Sequence, residues 1–146
     1  MHITQHTDYA LRVLIYLGTN EDRLVTILEI SDRFAVSRSH LMKVVNQLIR
    51  SGFVEGVRGK GGGLRLARAP AEIGVGDVVR RMERGMEIVE CFGSGCSCIL
   101  DPSCKLKAAL GNALDAFLKV LDAISLADLL GKQESLILKF IRSPGL

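Results

Sequence analysis

The sequence predicts a mainly α chain with a small β-hairpin, arranged as a winged helix-turn-helix followed by a long dimerisation helix. Three observations carry that prediction. Side-chain caps open two helices on either side of a short joint, a glycine-rich pair of strands follows the second of them, and an apolar heptad seam runs further on.

Residues 8–18 read as the first helix, with Leu11, Leu14, Ile15 and Leu17 apolar and Gly18 as the stop signal. Thr26 and Glu29 form a Thr-x-x-Glu capping box, in which hydroxyl and carboxylate each take up a backbone N–H that no helical carbonyl reaches. It opens a short second helix with Ile27, Ile30 and Phe34 on one face. Ser37 caps a third, where Leu41, Val44, Val45, Leu48 and Ile49 recur at helical spacing and Gly52 stands where a C′ glycine belongs. Ala35 to Ser37 is the joint of a helix-turn-helix.

Two short strands are expected at 53–57 and 64–67, around Arg58-Gly59-Lys60-Gly61-Gly62-Gly63. The three successive glycines permit positive φ and a tight tip. A hairpin directly after a helix-turn-helix is a wing. Pro70 closes the unit, and another helix is expected over about 74–84. Leu110, Leu114, Phe117, Leu121 and Ile124 then alternate spacings of four and three for about two heptads. That is too short for an independent coiled coil and suits a helix packed on its twin across a dimer axis, with an ordinary core helix as the alternative. The tail from about 132 receives no assignment. The expected organisation is 1–84 as the DNA-binding domain, 85–104 as a cysteine-rich loop and 105–146 as dimerisation helix and tail.

The 146 residues, 48% hydrophobic and 24% charged, suffice for one core without disulfides. A net charge of +3 suggests no nucleic-acid partner, and the lack of Trp argues against single strands stacked on exposed rings. Position changes this. Between Ser37 and Arg68 lie Arg38, Lys43, Arg50, Arg58, Lys60, Arg65 and Arg68 against the single acid Glu55, a net +6 that leaves −3 for the remainder. These cations sit on the third helix and the hairpin, the elements a winged helix presents to double-stranded DNA, where they displace counterions from phosphates. Arg38, Ser39, Lys43, Asn46 and Gln47 lie off the apolar stripe. Arg or Lys there can read guanine, and Asn or Gln adenine. Arg58 and Lys60 at the hairpin tip can reach phosphates or the minor groove. His40 is expected to be partly buried or phosphate-facing.

No stretch approaches the ~20 apolar residues a bilayer requires, and the N-terminus lacks a basic start and a small-residue cleavage site. The expected compartment is the cytoplasm, where thiols stay reduced and clustered Cys bind metal or react. All four Cys fall in Cys91-Phe-Gly-Ser-Gly-Cys96-Ser-Cys98-Ile-Leu-Asp-Pro-Ser-Cys104. Four thiols at this density suit a soft metal or an iron–sulfur cluster, and Gly93 and Gly95 let a loop turn backbone N–H groups toward sulfur. The spacings lack the paired knuckles of zinc ribbons. Cys96 and Cys98, one residue apart, do not easily both ligate one metal, so three thiols and a non-thiol ligand are the natural set.

Taken in order, several features resemble the Rrf2 family of bacterial winged-helix regulators, and within it the nitric-oxide-sensing repressors. They are Thr7-Asp8-Tyr9-Ala10-Leu11-Arg12, the Ser37/Leu41/Lys43/Val44/Gln47/Leu48 pattern, Gly52, the Gly61-Gly62-Gly63-Leu64 wing, Glu90-Cys91, Cys98-x5-Cys104-Lys-Leu-Lys and Leu126-Ala127-Asp128-Leu129. The resemblance implies a homodimer that represses transcription at a two-fold operator, with a [4Fe-4S] cluster in each half and nitric oxide as the signal. It further implies Cys91, Cys98 and Cys104 as ligands from one chain and Asp8 as the fourth from the other. Cys96 is then an extra thiol that can substitute for Cys98. The [2Fe-2S] alternative belongs to a subtype with His where this chain has Lys107. The rivals are a family member answering iron–sulfur assembly or oxidative stress, a zinc-stapled interaction module, and a thiol–disulfide oxidoreductase using Cys96 and Cys98.

Overall fold

The computed structural model describes residues 2–101, 103–132 and 137 of the chain. Among the described residues, five α-helices and one antiparallel hairpin follow the order α1 (Gln5–Thr19), α2 (Ile27–Phe34), α3 (Arg38–Arg50), β1 (Val54–Val57), β2 (Gly63–Leu66), α4 (Val75–Met82) and α5 (Lys105–Asp122). The unassigned tail lies almost wholly outside the described residues. Among them, no helix is long and apolar enough to cross a membrane.

α1 starts three residues before the expected position because Thr4 caps it, its hydroxyl accepting from the Thr7 N–H at 3.3 Å. Ala10, Val13, Leu14 and Leu17 enter the core, while Leu11 and Ile15 pack at its margin. Gly18 does not stop the helix, which runs to Thr19 and is capped by Asn20. A Cβ at Gly18 would lie 2.6 Å from Leu130 Cδ1, so glycine here lets the returning chain pack closely.

α2 and α3 form the helix-turn-helix. Thr26 and Ser37 accept from the N–H groups of Glu29 and His40, but the Glu29 carboxylate turns to Arg23 and Tyr16 and does not close the capping box. The joint turns at Ala35, in the left-handed region at φ 54°. α3 ends in a Schellman motif: Gly52 at φ 77° donates to the Ile49 carbonyl, and Phe53 to that of Leu48, both at 3.0 Å. This turn drops Phe53 fully into the core and aims the chain into β1.

The hairpin pairs Val54 with Leu66 and Val57 with Gly63. Val25 joins its edge through reciprocal bonds with Leu64 at 3.0 and 2.7 Å. At the tip, positive φ falls on Gly59 and Gly61 rather than on the whole glycine run. Gly62 is required for another reason, since a Cβ there would meet the Val57 carbonyl oxygen at 2.2 Å.

After α5 the chain returns to the core. Leu126 is buried, its N–H donating to the Ile73 carbonyl at 2.7 Å, and Val75 donates to Ile124 at 2.9 Å. Arg80 and Asp122 tie α4 to α5, with a 2.7 Å bond to one carboxylate oxygen. Among the described residues, α5 contributes none to the buried core. The leucine seam of 110, 114, 117, 121 and 124 is half-buried against the protein's own body. Leu114 and Phe117 share an apolar cavity of about 530 Å³ with Ile3, Val79, Met86 and Ile88. A second seam with the same alternation, Leu106, Ala109, Ala113, Ala116, Val120 and Ala123, is exposed along its whole length. Small residues there mute the hydropathy signal, so the leucine spacing marks the inward seam and leaves this one unmarked.

Candidate nucleic-acid interface and cysteine cleft

α3 presents Arg38, Ser39, Lys43 and Asn46 to solvent, with Leu41, Val44, Val45 and Leu48 packed behind them. Arg58 and Lys60 stand exposed on the wing tip. Among the described residues, Arg38, Lys43, Arg50, Arg58 and Lys60 form no ion pair with a carboxylate. Their charge faces outward uncompensated, which is the condition for phosphate contact.

The other basic residues of this window have local duties. Arg65 pairs with Glu55 across the strands at 3.0 Å, which raises the guanidinium pKa and lowers that of the carboxyl. Arg68 donates to the Gly52 carbonyl at 3.1 Å and lies 4.8 Å above the Phe53 ring, holding the Schellman turn.

A polar cleft of about 590 Å³ opens beside α3, lined by Lys43, Asn46, Arg50, His6, His40 and Arg84 among others. Arg84 and His6 were not foreseen as part of this face, because they are far from α3 in sequence and arrive through α4 and α1. His40 is half-buried and stands edge-on to Tyr9, with ring centroids 5.0 Å apart. Gln47 differs from its neighbours. It is half-buried, lies 2.8 Å from His6 Nε2 through Oε1, and donates to the Arg81 carbonyl at 2.7 Å.

The segment between α4 and α5 holds a short 3-10 turn at Glu90–Phe92 and otherwise irregular backbone. Cys91, Cys96 and Cys98 line one cleft of about 610 Å³, with Cys91 and Cys96 half-buried and Cys98 exposed. Cys104 caps α5, its Sγ accepting from the Lys107 N–H at 3.4 Å. Lys107 Nζ is anchored on Asp101 at 2.8 Å. Desolvation pushes the Cys91 thiol up, the nearby Cys96 adds to this, and the Lys107 charge opposes it. Gly93 uses its N–H to close the 3-10 turn on Glu90 at 3.0 Å and does not aim it at sulfur. Among the described residues, no three His, Cys, Asp or Glu are gathered at metal-holding distance.

Asp8 is not among the residues lining that cleft. It lies on α1, 46% exposed, paired with Arg12 at 2.8 Å, and Arg12 also rests 5.8 Å from the Tyr9 ring centre. An exposed i,i+4 pair of this kind contributes only about 0.3–0.5 kcal/mol. The carboxylate is therefore cheaply redirected to another partner.

Known proteins share this arrangement. Residues 3–132 match the family model Rrf2, described as an iron-dependent transcriptional regulator. The HTH-type transcriptional regulator NsrR of Geobacillus kaustophilus is 49% identical over 138 residues, 93% of this chain and 94% of the relative. NsrR of Bacillus subtilis is 43% identical over 139 residues, 94% and 95% respectively. Among solved structures, CymR, the global cysteine regulator of B. subtilis, superposes with a TM-score of 0.74 at 27% identity, covering 89% of this chain and 96% of that one. IscR of T. potens gives 0.73 at 25%, covering 98% and 94%.

Proposed function

This chain belongs to the Rrf2 family and is a DNA-binding transcriptional repressor, not an enzyme, and from that premise we propose that its operator affinity is set by an iron–sulfur cluster that reacts with nitric oxide. The observation that carries the reading is that three of the four thiols line one cleft and the fourth starts α5, in a chain akin to NsrR proteins.

The donor set fits such a group. Thiolates suit iron–sulfur cores, and among the described residues the 92–103 backbone makes only short turn bonds that would resist closing. Cys91, Cys98 and Cys104 would hold a [4Fe-4S] cluster from one chain, with Cys96 the substitute for Cys98. The partner subunit's Asp8 would be the fourth ligand. A bound cluster supplies iron open to nitric oxide, at a site where a carboxylate yields more easily than a thiolate. The [2Fe-2S] form is the alternative.

The protein's own residues do the rest. The exposed seam of α5 supplies an apolar face for a second copy, and a two-fold dimer spaces two α3 helices about 34–36 Å apart on an operator. Asp8 would leave Arg12 to hold the group across the dimer, and Arg12 is the partner it would regain without it, with the first turn of α1 then unheld by the second copy. A small rotation of α3 then costs operator affinity.

The test is anaerobic purification followed by nitric oxide titration, monitored by absorption, iron and sulfide content and affinity for a palindromic duplex selected from a random library by the anaerobic protein. Brown protein whose affinity falls with nitric oxide is expected. Unchanged affinity sinks the signal, and colourless zinc-loaded protein replaces the cluster with a structural staple.

A further inference from the structure

Gln47 stands where a recognition helix can read adenine, yet both ends of its carboxamide are engaged inside the chain. Its Nε2 donates to the Arg81 carbonyl at 2.7 Å, so Oε1 is the acceptor toward His6 Nε2 at 2.8 Å, and that histidine nitrogen carries the proton. Bidentate reading of adenine requires the same two ends. Asn46, one residue earlier, is exposed and makes no such bonds among the described residues.

One side chain thus joins three helices. Arg81 lies in the last turn of α4, whose carbonyls lack helical partners, and Gln47 satisfies one of them. His6 lies in the first turn of α1, two residues before Asp8. The same turn has a second attachment to the end of α4. The Thr4 N–H and hydroxyl both donate to Glu83 Oε1 at 2.9 Å. Among the described residues, the Gln47 bonds are the only side-chain hydrogen bonds from α3 to another helix. His6 also stacks with His40 of α3 at a centroid distance of 6.4 Å. The recognition helix is therefore tethered to the turn that carries Asp8 and to the last turn before the cysteine segment.

We propose that Gln47 is a positioning residue rather than a base reader: with His6 it ties the recognition helix to the α1 turn bearing Asp8, and so transmits the state of that turn to the DNA-binding surface. This rests on the cluster-gated reading above. The coupling needs a physical element that both sites bias, and the His6–Gln47–Arg81 bridge spans the two.

The experiment compares anaerobic holo-protein of wild type, Gln47→Ala, His6→Ala and the double variant. The readout is the ratio of operator dissociation constants after and before nitric oxide, with cluster content and thermal melting measured in parallel. In wild type the ratio is expected on the order of tenfold, falling to within about twofold of one in each single variant. The double variant is expected to match the singles, and base preference at every operator position to stay unchanged. His6→Ala, on a half-exposed turn, carries the test alone if Gln47→Ala does not fold. A ratio that survives the substitutions overturns the tether and leaves the cluster-gated reading intact, as does a base preference relaxed at one position by Gln47→Ala with the ratio unchanged. A wild-type ratio of one overturns both.

Discussion

Residues 25–68 and residues 85–123 are built on opposite terms. The first stretch is finished within one chain, with α1, α4 and Leu126 closing its core. Caps at Thr26 and Ser37, the Schellman turn at Gly52 and the strand register satisfy its backbone, and Ile30, Leu41, Leu48 and Phe53 fill a common core. In the second, α5 leaves its outward seam in water, with Leu106 66% and Val120 63% exposed, and Ile99 beside Cys98 is 97% exposed. A surface that reads DNA must hold its shape alone. The second stretch is left unfinished, its apolar seam and Cys98 open to solvent.

Substitutions can break this contrast. The largest effect is expected from Phe53→Ala, which should cost about 3–5 kcal/mol of stability by thermal or denaturant unfolding, against less than about 0.5 for Ile99→Ala. Equal losses would mean that the cysteine segment is as well packed as the wing. Val120→Glu should leave the fold and melting temperature intact while producing monomers in sedimentation, weakening operator binding on the order of 100-fold through lost bivalency. A dimer that survives this change moves the interface off the exposed seam. Removing the wing-tip charges, with Arg58 and Lys60 both changed to Ala in each protomer of the dimer, should lower the slope of log affinity against log salt by about four. An unchanged slope would leave the tip off the phosphates.

The smallest effect concerns Glu29, whose carboxyl is held below the usual range by the Arg23 hydrogen bond, against desolvation and with help from Tyr16. Its contribution to stability is present at neutral pH. It is lost as pH falls through the unfolded value of about 4.3 and on through the lower folded one. Melting temperatures should therefore drop more for wild type than for Glu29→Gln across that acid range.

The same contrast governs what the sequence made legible. Thr26, Ser37 and Gly52 act through bonds to residues three to five positions away, so their spacing is enough to locate the helix-turn-helix. The basic surface was legible for a related reason: α3 and the wing are consecutive, and their charges need no distant neighbour to be seen. What escaped depends on contacts between remote segments. Thr4 begins α1 early with help from Glu83, Gly18 answers to Leu130, and Gln47 is held by His6 and Arg81. On α5, leucines mark a face strongly and alanines weakly, although the alanine-rich face is the one left bare. The thiols could be counted and their clustering read, but their grouping depends on loop closure, which no periodicity encodes.

The burial of Leu126 against Ile73 bears on how the protein is made. The core that supports the recognition helix lacks a piece until residue 126 has left the ribosome. At about 5–20 residues per second, synthesis of the stretch from Met82 to Leu126 takes a few seconds. From Cys104 to Leu126, roughly one to four seconds of that synthesis, all four thiols have been made while the core is still unsealed. The nascent chain thus presents its cysteines before it has a finished DNA-reading head.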